Sequence, residues 1–145
     1  MRSRQSFVGV AIAPAAALAL GVWAEFADLG PPLLLAVAGP AILISTLSAA
    51  YLASGLARPF VVLLLGVAIG VLTFGLTEGS YLAIHLSRGG TLNFEGADSQ
   101  GAMAAALLGI HAGVGAVVGL AIGCGLALVL YAARALGGPA SPRSA

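Results

Sequence analysis

Hydrophobic residues run along this chain in long unbroken blocks, neither alternating as in half-buried strands nor confined to one helical stripe. Uncharged stretches cover 5–24, 29–57, 59–77 and 99–133, and the charges sit in the short segments between them. A hydrocarbon core of about 30 Å takes roughly 20 helical residues at ~1.5 Å each. Each block is therefore long enough for one crossing, and none shows the dyad alternation of a transmembrane barrel. The pattern predicts an all-α fold, an integral membrane four-helix bundle with helices at about 7–24, 32–56, 60–86 and 101–136.

Local signals sharpen those limits. Pro31 and Pro32 suit the first turn of helix two, and Pro59 that of helix three, where a missing N–H breaks no hydrogen bond. Asp98 or Ser99 can cap helix four, and Gly137-Gly138-Pro139 stops it. Residues 1–138 then form a single four-helix transmembrane domain, with 139–145 as a flexible C-terminal tail. Pro14 and Gly39-Pro40 fall inside helices and predict kinks. Arg2 and Arg4 before an apolar stretch, with Val22-Trp23-Ala24 after it, also fit a cleaved secretory signal. The stretch exceeds the ~7–15 residue core of such signals, which favours a retained first helix.

Composition narrows the class. Of 145 residues 60% are hydrophobic and 8% charged, against about 25% charged in soluble domains. These figures exclude a soluble enzyme domain, a disordered tail and, for want of a basic surface, a nucleic-acid binder. The lone Cys124 excludes a disulfide framework, a cysteine zinc site and dithiol redox chemistry, and reads as a small packing residue. Abundant Ala and Gly without Lys suggest a bacterial protein of the cytoplasmic membrane.

The charges also set an orientation. Arg2, Arg4, Arg58, Arg134 and Arg143 fall on one side of a four-helix chain, and only Arg88 on the other. The positive-inside rule then places both termini in the cytoplasm. All five acids, Glu25, Asp28, Glu78, Glu95 and Asp98, fall on or near the opposite, outer side. Glu25 and Asp28 read as a polar loop or acidic rim, with Trp23 as an interfacial anchor.

Lipid offers no hydrophobic drive for helix association, so small residues that allow close backbone approach must supply the contact. Helix three offers Gly66, Gly70, Gly75 and Gly79; helix four offers Gly109, Gly113, Gly115, Gly119 and Gly123. The sustained Gly115–Gly119–Gly123 row predicts either a contact inside the bundle or a seam with a second copy or a partner subunit. Helix two adds Ala41, Ser45, Ala49 and Ala53.

Candidate chemistry is confined to one group. Glu78 and His85 are nearly two turns apart on one face of helix three, with Tyr81 and Thr77 beside them. Helix four returns antiparallel, so His111 is expected to meet Glu78 or to sit between Glu78 and His85, with Gly109 and Gly113 easing the approach. Such a group suits proton or ion exchange, or a transition metal on two imidazoles and a carboxylate. Haem is disfavoured because His85 and His111 differ in depth, and no cofactor is expected. In the 88–98 connection, Leu92 and Phe94 can form a short lid.

No Walker loop, HExxH or nucleophile elbow is present, so nothing marks an enzyme. The first expectation is a non-catalytic subunit or scaffold of a larger membrane complex, packed through glycine-rich helices. The second is a small oligomeric transporter or proton/ion pathway using Glu78, His85, His111 and Tyr81. Both expect the bilayer and a homo-oligomer or larger complex as partners, and no nucleic acid.

Overall fold

The computed structural model describes residues 2–27, 30–53, 56, 58–93 and 98–136. The expected tail at 139–145, the Gly137-Gly138-Pro139 stop, Asp28, Phe94 and Glu95 lie outside the described residues. Four helices follow in order: α1 (Arg2–Phe26), α2 (Pro31–Leu52), α3 (Pro59–Ser87) and α4 (Gln100–Leu136). Each is long and apolar enough to cross a membrane.

Their ends follow the local chemistry. Gly30 and Arg58 are extended N-caps, and prolines occupy the first turns of α2 and α3. Helix α2 ends at Leu52 rather than near 56, ahead of Ser54 and Gly55, two weak helix formers. Of the two possible caps for α4, Ser99 takes the role: its hydroxyl accepts from the Ala102 N–H at 3.1 Å. At the far end of α3, Gly89 adopts φ +81. The Gly89 N–H donates to the Leu86 carbonyl and the Gly90 N–H to the His85 carbonyl, the paired bonds of a Schellman stop.

Helices α3 and α4 pack antiparallel through bare backbone. A Cβ at Gly66 would lie 2.6 Å from the Gly119 carbonyl oxygen, and one at Gly70 would lie 2.9 Å from the Gly119 Cα. Gly115 meets the Gly70 carbonyl, and Gly123 lies against Leu63. The Gly115–Gly119–Gly123 row is thus filled by α3 within one chain, the first of the two alternatives read from the sequence. Gly75, Gly109 and Gly113 face open space, and Gly79 makes only an ordinary contact with Leu108 at 3.8 Å. The reason is angular: these glycines lie off the four-residue rows that the contact uses.

The other crossings use hydroxyls. Gly9 of α1 lies against Ser48 of α2, and Gly21 against Thr77 and Ser80 of α3. The buried Ser45 hydroxyl accepts from the Ala13 N–H and donates to the Gly9 carbonyl, both at 2.9 Å. It therefore spans one rung of α1 directly before Pro14, where the ladder is already interrupted. Leu20, Ala38, Ile42 and Phe74 form the core, joining α1, α2 and α3. Thr73 and Thr77 donate back to the carbonyls of Ile69 and Thr73, so their hydroxyls are satisfied in an apolar interior. Thr46, equally buried, has no hydrogen-bond partner among the described residues.

Two contrasts test this packing by unfolding titrations in mixed micelles. Gly119→Ala should cost about 1–3 kcal/mol by pressing on backbone, while Gly113→Ala should change stability by no more than about 1 kcal/mol. Neighbouring hydroxyls should differ in sign. Ser45→Ala should destabilise by about 1–2 kcal/mol, whereas Thr46→Val should be neutral or stabilising.

Candidate functional site

All four helices contribute to a cavity of about 490 Å³ at the end of the bundle that carries the α1–α2 and α3–α4 connections. Its lining includes Glu25 and Phe26 of α1, Leu34 of α2, Thr77, Glu78 and Tyr81 of α3, and His111 of α4. Glu78 lies two and a half turns before the end of α3, about 14 Å along the axis. Glu25 is the penultimate residue of α1. The cavity therefore holds one carboxyl group at the helix ends and one further along the bundle.

Two carboxyl–imidazole pairs occupy this end. Glu78 Oε2 is 3.4 Å from His111 Nδ1, and the Glu78 side chain is only 10% exposed. His111 Nδ1 also lies 3.0 Å from the Leu107 carbonyl of its own helix. A carbonyl can only accept, so Nδ1 carries the hydrogen and Nε2 is the position at which the ring gains or loses a proton. In the second pair, Glu25 Oε2 is 3.1 Å from His85 Nδ1, with the Glu25 side chain 11% exposed.

The second pair differs from expectation. His85 was expected on the Glu78 face, but its Nδ1 turns to Glu25, sixty residues away in sequence. Tyr81 fixes this orientation by stacking on His85, with ring centroids 5.4 Å apart. Gly90 closes the other side: a Cβ there would strike the imidazole at 2.5 Å from Cδ2. Arg88 completes the group, with Nη1 3.7 Å from Glu25 Oε1 and its guanidinium 5.0 Å from the Phe26 ring centroid.

Of the predicted residues, Glu78, Tyr81 and His111 thus converge on the cavity, while His85 stands behind Tyr81 and holds Glu25. The sequence places Glu25 in a polar loop or acidic rim and gives no sign that Arg88 or Phe26 belongs to the site. The Glu25–His85 contact joins distant segments, so no spacing rule reveals it. Gly109 and Gly113, expected to ease the approach to His111, do not line the contact; Gly115, one turn along on the His111 row, does.

Leu92 is buried and anchored by the Gln100 amide, whose Oε1 accepts from the Leu92 N–H at 2.8 Å and whose Nε2 donates to the Leu92 carbonyl at 3.1 Å. The connection after α3 is thereby pinned to the start of α4. Among the described residues, no group of three or more His, Cys, Asp or Glu is placed to hold a metal ion. No protein-family model matches the chain, and no curated protein or solved structure is similar to it.

The Gly90 contact gives a local test. Gly90→Ala should push the His85 ring off Glu25, changing the His85 ring nitrogen shifts in ¹⁵N-histidine spectra while leaving those of His111 in place.

Proposed function

We propose that this chain is a small oligomeric transporter or proton pathway that exchanges protons at Glu78 and His111. The observation that supports it is the convergence of Glu25, Glu78, Tyr81 and His111, drawn from three helices, on one cavity. Ionisable groups at membrane depth are costly, face a bundle interior or a wet cavity, and mark proton and ion paths. Once Nε2 has taken a proton from the cavity, the Nδ1–H of the imidazolium can pass to the Glu78 carboxylate it touches, and that transfer leaves the pair's total charge unchanged. That keeps the electrostatic cost of the transfer low in a medium of low dielectric. His111 Nε2, the nitrogen not committed to Leu107, is the position for exchange with the cavity.

The bilayer we assign is a bacterial cytoplasmic membrane, with both termini in the cytoplasm. Support comes from the arginines: Arg58 precedes α3 and Arg134 ends α4, at the end opposite the cavity. Arg134 also donates to the Leu56 carbonyl, tying α4 to the α2–α3 connection. The cavity then opens to the outer side.

A second reading, a subunit of a larger membrane complex, rests on α4. The buried residues of its 37 are Gly115, Gly119 and Gly123, while Val117, Leu128, Val129 and Tyr131 are exposed. That face is open to lipid or to a partner helix. The two readings are compatible, because a partner on α4 leaves the cavity intact.

Flux decides the first reading. In proteoliposomes under an imposed pH gradient, Glu78→Gln should reduce proton flux to background and His111→Gln should slow it at least about tenfold. Wild-type flux in Glu78→Gln would remove Glu78 from the path.

A further inference from the structure

Two residues that line the cavity, Glu25 and Phe26, already meet a cation supplied by the chain itself. The Arg88 guanidinium lies 5.0 Å from the Phe26 ring centroid and 3.7 Å from Glu25. A carboxylate and an aromatic face converging on one positive group is the arrangement by which proteins recognise organic cations. Arg88 is held loosely there. Its ion pair is long, its side chain is 54% exposed, and it caps α3 next to Gly89 in a left-handed conformation. The Glu25 end is only 11% exposed, but at 3.7 Å the pair is beyond hydrogen-bond distance, so the hold on Arg88 is weak.

Glu25 and Phe26 both line the cavity, whereas Arg88 does not. A volume of about 490 Å³ lies in the ~300–1,000 Å³ range of sites for small organic molecules, and far exceeds what a proton requires. With Arg88 withdrawn, two carboxyl groups face the space against one imidazole, His111. Tyr81, Phe26 and Leu34 supply aromatic and apolar surface around them. His85 remains on the other Glu25 oxygen and keeps that carboxylate aimed.

We propose that the cavity binds a small organic monocation, an alkyl- or arylammonium, whose charged head takes Glu25 and Phe26 over from Arg88, which contacts both without lining the cavity. The proposal rests on the transport reading and names the cargo class for that site. The ligand's ammonium takes the place of the guanidinium between Glu25 and Phe26, and its apolar body lies against Tyr81 and Leu34. No bond is made or broken, and the displaced Arg88 turns to water at the rim.

The test uses the full chain in phosphatidylglycerol nanodiscs, with empty nanodiscs as the blank. Benzyltrimethylammonium is the probe, and phenylacetate is its counterpart of opposite charge. Wild-type protein should bind the probe and not phenylacetate. Arg88→Gln should bind the probe about tenfold tighter, and Glu25→Gln about tenfold more weakly. Phenylacetate binding as tight as the probe, or an affinity in Arg88→Gln equal to or below wild type, would overturn the proposal. Those two comparisons use the wild type and an exposed position, so they stand even if Glu25→Gln fails to fold.

Repeating the titration in phosphatidylcholine separates the sources of the ammonium. Binding lost there and kept in phosphatidylglycerol assigns the site to a lipid headgroup. Equal binding assigns it to a free cation, and both results uphold a cation site. Probe binding without pH-driven flux would uphold this inference and defeat the proton reading. Flux that depends on Glu78 without probe binding would do the reverse.

Discussion

Everything at the cavity depends on how closely α3 and α4 approach. Gly66 and Gly70 lie against Gly115, Gly119 and Gly123 with backbone touching backbone. Close contact of this kind attracts helices by van der Waals packing, and would do so in lipid, where apolar surface gains nothing from leaving its solvent. It also sets register. Moving one turn at a time along α3 gives Gly66, Gly70, Phe74 and Glu78, all buried. The opposing row on α4, read backwards, is Gly123, Gly119, Gly115 and His111. The contact that begins as glycine on glycine ends as Glu78 on His111.

The cavity lies at one end of the same contact. Beyond the glycines, α3 and α4 meet through Phe74, Glu78 and His111, and Glu78 and His111 line the cavity. Helix α1 packs on α3 through Gly21 and brings Glu25 to that end. The polar groups there are paired rather than scattered, as the cost of an isolated charge in low dielectric requires. Ser45 and the two back-bonded threonines follow the same rule on a smaller scale.

The pairs differ in what they leave free. His111 commits Nδ1 to a carbonyl of its own helix and keeps Nε2 for exchange. His85 is packed by Tyr81 and by Gly90, with its Nδ1 on Glu25. One imidazole therefore has a ring nitrogen outside its helix contact, and the other has its Nδ1 taken by Glu25. Arg88 adds a positive charge that is close to Glu25 yet mostly in water.

Block length and composition were sufficient to define four apolar helices, because a spanning helix must satisfy its own backbone and shield it with apolar side chains all round. Prolines and capping residues marked most of the ends for equally local reasons. The Glu78–His111 pair was within reach of sequence reasoning, since an antiparallel return brings those depths together. The row His111–Gly115–Gly119–Gly123 was present in the chain, but nothing local ranked it above the row through Gly109 and Gly113. That choice is one of helix rotation, decided by which face fits α3. The joining of Glu25 to His85 and Arg88 was decided by tertiary structure alone, because it depends on the lean of α1 against α3. Local rules describe what each helix can present, and only packing determines which faces meet.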